Sequence, residues 1–217
     1  MKLTALFLLI IIFKNTEAQT KPFVPYEYEY PKSVLSAPKT YVYKSPSSKE
    51  VRYKDVSRTD APGRVVITWK QYYSANHVID SSIEINDKVV ESYMFLRGQR
   101  IKETMSEDSV HNDGSKLGEK VQSASFNANS ISFSTLIKSR FLKDTVFTWK
   151  SKELPCIVIE SNATLVFHNP TDSSQTKENS AKFFIYFCKG VGNVRFTQST
   201  DEGVEIWNLD EIKEIKN

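Results

Sequence analysis

The groups that could do chemistry in this 217-residue chain include three histidines, two cysteines and a Ser-x-x-Lys sequence near the N-terminus. His77, His111 and His168 are widely separated. None has the short spacing to a second ligand that a zinc site uses, and two cysteines cannot build such a site alone. The His111-Asn112-Asp113 stretch lies in a polar run and reads as a solvated loop. Ser36-Ala37-Pro38-Lys39 has the spacing of a serine nucleophile with a lysine base. It sits in a proline-rich stretch, where no rigid scaffold would hold the lysine against the hydroxyl. Glu91 and Glu103 fall on strand-like segments and read as surface partners of a neighbouring Lys or Arg rather than as an acid–base pair. Asn162-Ala163-Thr164 is a glycosylation sequon, meaningful in a eukaryotic source. With only 7 glycines, phosphate-cradling loops are not expected. The sequence therefore offers no catalytic residue, no metal ligand set and no cofactor motif.

Cys156 and Cys188 flank a polar stretch, Asn169-Pro170-Thr171-Asp172-Ser173-Ser174, that would turn a hairpin. A hairpin centred on residue 172 places the two cysteines directly opposite. A later centre would shift them and require a bulge. An oxidising compartment favours a disulfide, and the rival reading is two buried thiols acting as small hydrophobes.

The elements that must carry these groups have a period of two. Val65, Ile67, Trp69, Gln71 and Tyr73 alternate with Val66, Thr68, Lys70 and Tyr72. Ile79, Ser81, Ile83 and Ile85 share a face, as do Val89, Glu91, Tyr93 and Phe95. Alternation of this kind belongs to strands with one buried face. Ala75-Asn76, Asn86-Asp87 and Gly98 are short breaks suited to hairpin turns. Further alternating runs reach residue 208, interrupted at Thr135–Lys143, where Leu136, Ile137, Arg140 and Phe141 have helical spacing. The expected architecture is all-β: one large antiparallel meander of about ten strands, curved into a half-barrel or open barrel, with at most one short helix.

The N-terminus reads differently. Lys2, the apolar run Leu3–Phe13 and Thr16-Glu17-Ala18 have the tripartite form of a secretory signal peptide cleaved before Gln19. The run is too short to span a bilayer, and no second apolar segment of membrane length follows. Residues 19–50 hold five of the eight prolines and Tyr26, Tyr28, Tyr30, Tyr41 and Tyr43. This stretch is an extended Tyr/Pro-rich tail, either a spacer or an arm laying tyrosines on the β domain of residues 51–217. A net charge of +3 and pI of 8.7 are too balanced for nucleic-acid binding.

The segment Tyr186-Phe187-Cys188-Lys189-Gly190-Val191-Gly192-Asn193-Val194-Arg195-Phe196, the turn Asp201-Glu202-Gly203 and Glu205-Ile206-Trp207-Asn208-Leu209 carry a resemblance. They are similar to the C-terminal part of periplasmic β-sheet proteins of the DUF3108-like and TapB-like groups of Bacteroidetes type. The resemblance covers about thirty residues, and Cys188 and the Tyr/Pro-rich tail depart from it. It implies a secreted or periplasmic protein, similar in shape to lipoprotein-carrier half-barrels, with an apolar concave face and no catalytic residues. Gly190 and Gly192 are read as structural, at a place where a strand re-aims.

Three functions stay open on these readings. The first is a non-enzymatic binder of a lipid or acyl chain in an apolar groove, with Trp69, Tyr93, Phe95, Phe133, Trp149 and Phe187 as lining residues. Each of these also suits ordinary core packing. The second is a cell-envelope structural or assembly factor acting through protein–protein contacts, including strand addition. The third, a secreted hydrolase, lacks a nucleophile–base pair.

Overall fold

In a computed structural model, the described residues are 22–74, 77–96, 98–110, 119–128, 131–168, 176–201 and 203–215. The signal-type residues 1–18, the Ala75-Asn76 turn and His111-Asn112-Asp113 lie outside them. The chain is all-β. Its strands are β1 (Lys39–Lys44), β2 (Val51–Ala61), β3 (Arg64–Ser74), β4 (His77–Ile85), β5 (Lys88–Leu96), β6 (Gln99–Lys102), β7 (Thr104–Val110), β8 (Glu119–Ala128), β9 (Ile131–Trp149), β10 (Lys152–His168), β11 (Lys177–Cys188), β12 (Gly192–Thr200) and β13 (Gly203–Glu214). They form one antiparallel sheet in the order β6-β5-β4-β3-β2-β1-β13-β12-β11-β10-β9-β8-β7.

The order is a meander closed through the chain's ends, with β1 paired to β13. Its two edges, β6 and β7, are consecutive in sequence. The Glu103 amide between them donates to the Ser92 carbonyl on β5, so the sheet comes nearly full circle as a barrel. There are thirteen strands rather than about ten. One reason is that Lys39–Lys44, assigned to the tail by its prolines and tyrosines, is hydrogen-bonded on both sides as β1. No helix spans Thr135–Lys143. That stretch lies inside the 19-residue β9, where Thr135, Ile137 and Ser139 pair with alternate residues of β10 and a bulge falls near Leu142. The apparent helical spacing comes from side chains on both faces of the strand: Ile137 and Phe141 face inward, while Leu136 and Arg140 are exposed on the outer face. The one short helix among the described residues, α1 (Tyr26–Glu29), is in the tail instead.

Turn chemistry fixes the register. Asn86 and Asp87 have φ of 50° and 66°, the left-handed pair a tight two-residue hairpin requires. The Asn86 side chain accepts from the Val65 amide and donates to the Gly63 carbonyl, tying this turn to the one between β2 and β3. In an up-and-down barrel both turns lie at the same end as those joining β9 to β10 and β11 to β12.

The tail closes that end. Phe23 and Val24 are 4% and 3% exposed and pack on Ile157, Ile159 and Phe187. Tyr30 and Leu35 join a second cluster built on Tyr41, Val56, Ile67 and Trp207. The Gly190 amide donates to the Glu27 carbonyl, and Arg58 donates to the Tyr30 carbonyl. At Gly192, φ is 106° and a Cβ would lie 3.1 Å from the Glu29 carbonyl oxygen, so glycine is what allows the tail so close.

Candidate functional site

Behind the tail the barrel keeps a cavity of about 460 Å³, within the range of small-molecule sites. Its two walls have different chemistry. The wall from β9, β10 and β11 is largely apolar, with Ile137, Ile159, Phe183, Ile185 and Phe187, and Phe23 and Val24 of the tail join it. These strands lie about half the sheet order away from β4, across the barrel.

The opposite wall is polar. Register places Lys54, Gln71, Asp80 and Met94 on one cross-strand row and Val56, Trp69, Ser82 and Ser92 on the next. Arg58, Ile67 and Glu84 form the third. Directly paired residues share a face, so β4 sends Asp80, Ser82 and Glu84 inward. Ile79, Ser81, Ile83 and Ile85 point the other way. On β5 the inward residues are Ser92, Met94 and, beyond a bulge in the register, Val89. Tyr93 and Phe95, expected to line the site, therefore face outward; the Arg100 guanidinium sits 3.6 Å from the Tyr93 ring centre.

The wider cavity wall holds five carboxyl groups, Glu29, Asp80, Glu84, Asp87 and Glu103, against two ammonium groups, Lys54 and Lys120. Most have a defined partner. Glu84 accepts from Trp69 Nε1 at 2.7 Å and from the Tyr30 hydroxyl at 3.4 Å. Asp87 accepts from the Phe23 amide at 2.6 Å and lies 3.6 Å from Lys120, whose Nζ is also 3.8 Å from Glu107. Glu103 accepts from the Ser92 hydroxyl rather than from a lysine or arginine, and Glu91 accepts from the Tyr93 hydroxyl at 3.0 Å. Lys54 stands 4.6 Å over the Trp69 ring. Asp80 differs: its Oδ1 is buried with no hydrogen-bond partner among the described residues.

Burial sets the protonation of this wall. Burial pushes the Asp80 carboxyl up to about 6; Lys54 and Arg52 pull it down, and Glu103 adds to the rise. Burial also raises Glu29, reinforced by the Glu84 and Asp87 charges. Glu84 is raised by burial against the Trp69 hydrogen bond and Lys54. Burial works against the Lys120 charge, yet Asp87, Glu107, Glu29 and Glu84 outweigh it and hold its pKa above the ordinary lysine value.

Of the aromatic residues singled out from sequence, Trp69 and Phe187 line the cavity. Phe133 lies on the inner face but in a rung with Phe126 and Phe167, stacked at 4.5 Å and edge-on at 4.9 Å, nearer the other end of the barrel. Trp149 packs against the second cluster and donates from Nε1 to the Leu209 carbonyl at 3.0 Å. Cys156 and Cys188 are paired directly across β10 and β11 and joined as a disulfide, Cα–Cα 4.0 Å. The remaining chemistry-bearing residues are engaged elsewhere. Ser36 is exposed, and Lys39 Nζ is bound to Glu214 at 2.8 Å. His77 packs edge-on against Tyr73, and His168 bonds the Thr176 hydroxyl. Asn162 is exposed. Among the described residues no group of three His, Cys, Asp or Glu could hold a metal ion, and no helix is long and apolar enough to cross a membrane.

The charged wall was missed because alternation alone does not say which of two faces is interior. The signal available was the paired pattern Asp80, Ser82, Glu84 on β4 with the acidic Glu29 in the tail.

No protein-family model matches the chain, and no curated protein matches it. Among solved structures it is similar to a "putative lipoprotein" from Parabacteroides distasonis, with a TM-score of 0.50, 11% identity, and coverage of 84% of this chain and 96% of that one. A "putative exported protein with YmcC-like fold" from Bacteroides fragilis has a TM-score of 0.44, 8% identity, and coverage of 81% and 95%. At 11% identity the first likeness shows the fold.

Proposed function

We propose that this chain is an exported, non-catalytic binding protein of the cell envelope whose barrel takes a small molecule with an apolar flank. The observation that carries this reading is the cavity of about 460 Å³ faced on one side by Ile137, Ile159, Phe183, Ile185 and Phe187. The signal-type sequence of residues 1–18 supports the address. The barrel shared with the "putative lipoprotein" agrees with it. The groove is not the uniformly apolar one the resemblance implies, so a plain hydrocarbon is a poor match. An apolar chain of eight methylenes would still gain roughly 6 kcal/mol gross from burial before ordering costs. The near closure of the sheet favours this reading over an assembly factor that works by strand addition, because β6 and β7 are its only edges among the described residues.

The test is native mass spectrometry of the purified chain before and after organic extraction, followed by titration with an environment-sensitive fluorescent amphiphile. Trp69→Glu and Phe187→Glu should each weaken saturable binding at least tenfold. Phe95→Glu, on the outer face, should leave it within twofold. Equal loss in all three folded variants, or no binding to the parent chain, would defeat the reading.

A further inference from the structure

Resting on the reading of the cavity as a ligand site, we propose that its ligand is a monocationic amphiphile, an ammonium group on an apolar body, with Asp80 as the counter-ion. The cavity has the two ends such a molecule needs. Its apolar wall is on β9, β10 and β11, and its acidic wall is on β4 with the tail and the β6–β7 junction. Five carboxyl groups against two ammonium groups give an acidic lining, which repels a fatty-acid carboxylate or a phosphate and attracts a cation.

The distribution of partners narrows the choice further. Lys120 is held by Asp87 and Glu107, and Lys54 by the Trp69 ring face. Glu84 is satisfied by Trp69 and Tyr30, Asp87 by Phe23 and Lys120, and Glu103 by Ser92. Asp80 faces the cavity from the row between Gln71 and Met94, and its Oδ1 is buried and unpartnered. A buried carboxylate oxygen without a donor is unfavourable. An alkylammonium supplies both a donor and the opposite charge. An alcohol supplies only the donor, and a carboxylate adds repulsion. The ammonium is also compact enough to sit against Asp80 on the polar wall while its chain lies toward Ile185 and Phe187.

The experiment compares three probes with one chain: octylammonium, octanol and octanoate, titrated calorimetrically into the full chain at pH 8 and low salt. Octylammonium should bind at least tenfold more tightly than either of the others. In Asp80→Asn, which removes the charge and keeps the shape, that preference should fall below threefold while octanol affinity stays within twofold. Octanoate binding as tightly as octylammonium would overturn the ligand class and leave the cavity as a binding site. So would an unchanged preference in a folded Asp80→Asn variant. Failure of all three probes to bind would remove the ligand-site reading itself, and this proposal with it.

Discussion

Replacing Asp80 by Asn should stabilise the unliganded protein. The side chain is buried on the inner face of β4, one oxygen has no partner, and burial raises its carboxyl to about 6. The sign follows from proton binding. In the unfolded chain an aspartate loses its proton near pH 4. Between about pH 4 and about pH 6 the folded protein therefore still holds a proton that the unfolded chain has released. Stability falls as pH rises through that window and is flat above it. A shift of about two units corresponds to roughly 3 kcal/mol at pH 7. The Asn amide, itself short of partners, gives part of that back, so a net gain of about 1–2 kcal/mol is expected. For a chain of this size that is an increase of about 2–8 °C in Tm. Urea denaturation at pH 3.5 and pH 7.5 is the assay. The variant should gain on the parent at pH 7.5; at pH 3.5, where the parent's site is mostly protonated in both states, that gain should vanish and the amide's own cost should leave the variant about 1–2 kcal/mol below the parent. A variant less stable than the parent at pH 7.5, or a gap independent of pH, would refute the argument that an isolated buried charge sits there.

Two further outcomes rest on other contacts. The Cys156–Cys188 bridge closes a separation of 32 residues, so Cys156→Ser with Cys188→Ser should lower stability by about 3–4 kcal/mol in chemical denaturation. Alkylation of the denatured, unreduced parent should label neither cysteine. Gly192→Ala puts a Cβ against the Glu29 carbonyl in a backbone region unfavourable to alanine. It should cost about 1–3 kcal/mol and expose residues 22–35 to limited proteolysis before the barrel itself is cut.

The parts of the fold legible in sequence were those fixed by local chemistry. Alternation marked β3, and Asn86-Asp87 marked a turn that needs two positive φ angles. The Cys156–Cys188 alignment is the one that a hairpin centred on residue 172 gives, one of the two placements the loop left open. What escaped depended on where distant segments meet. β1 was hidden because a strand flanked by Pro38 and Pro46 looks like tail until β2 and β13 are seen pairing with both its edges. The helical spacing in β9 was two faces of one strand read together: Leu136 is apolar yet exposed beside the inward Ile137, a pattern that sequence period alone does not separate from a turn of helix. The cavity was half legible: Trp69 and Phe187 line it, whereas Tyr93 and Phe95 have the right spacing on the wrong face. Hydrophobicity pointed to Ile79, Ser81, Ile83 and Ile85 as the inner set of β4. The opposite set is inner because Tyr30 and Trp69 donate to Glu84, and the tail's Phe23 donates to Asp87 in the turn beyond it.

Strand number explains why such a cavity exists. An eight-stranded barrel is just filled by its own side chains, and wider barrels leave space. Thirteen strands with inward residues as small as Ser82, Ser92, Ser139 and Ser161 cannot close the lumen alone. The tail fills one end with Phe23, Val24 and Tyr30, and the Phe126, Phe133 and Phe167 rung fills another part. The volume left between them is bordered by an apolar wall that gains from excluding water and an acidic wall that loses by it. Water satisfies only the second wall and a hydrocarbon only the first. A molecule carrying both characters satisfies both, so the two walls together select an amphiphile.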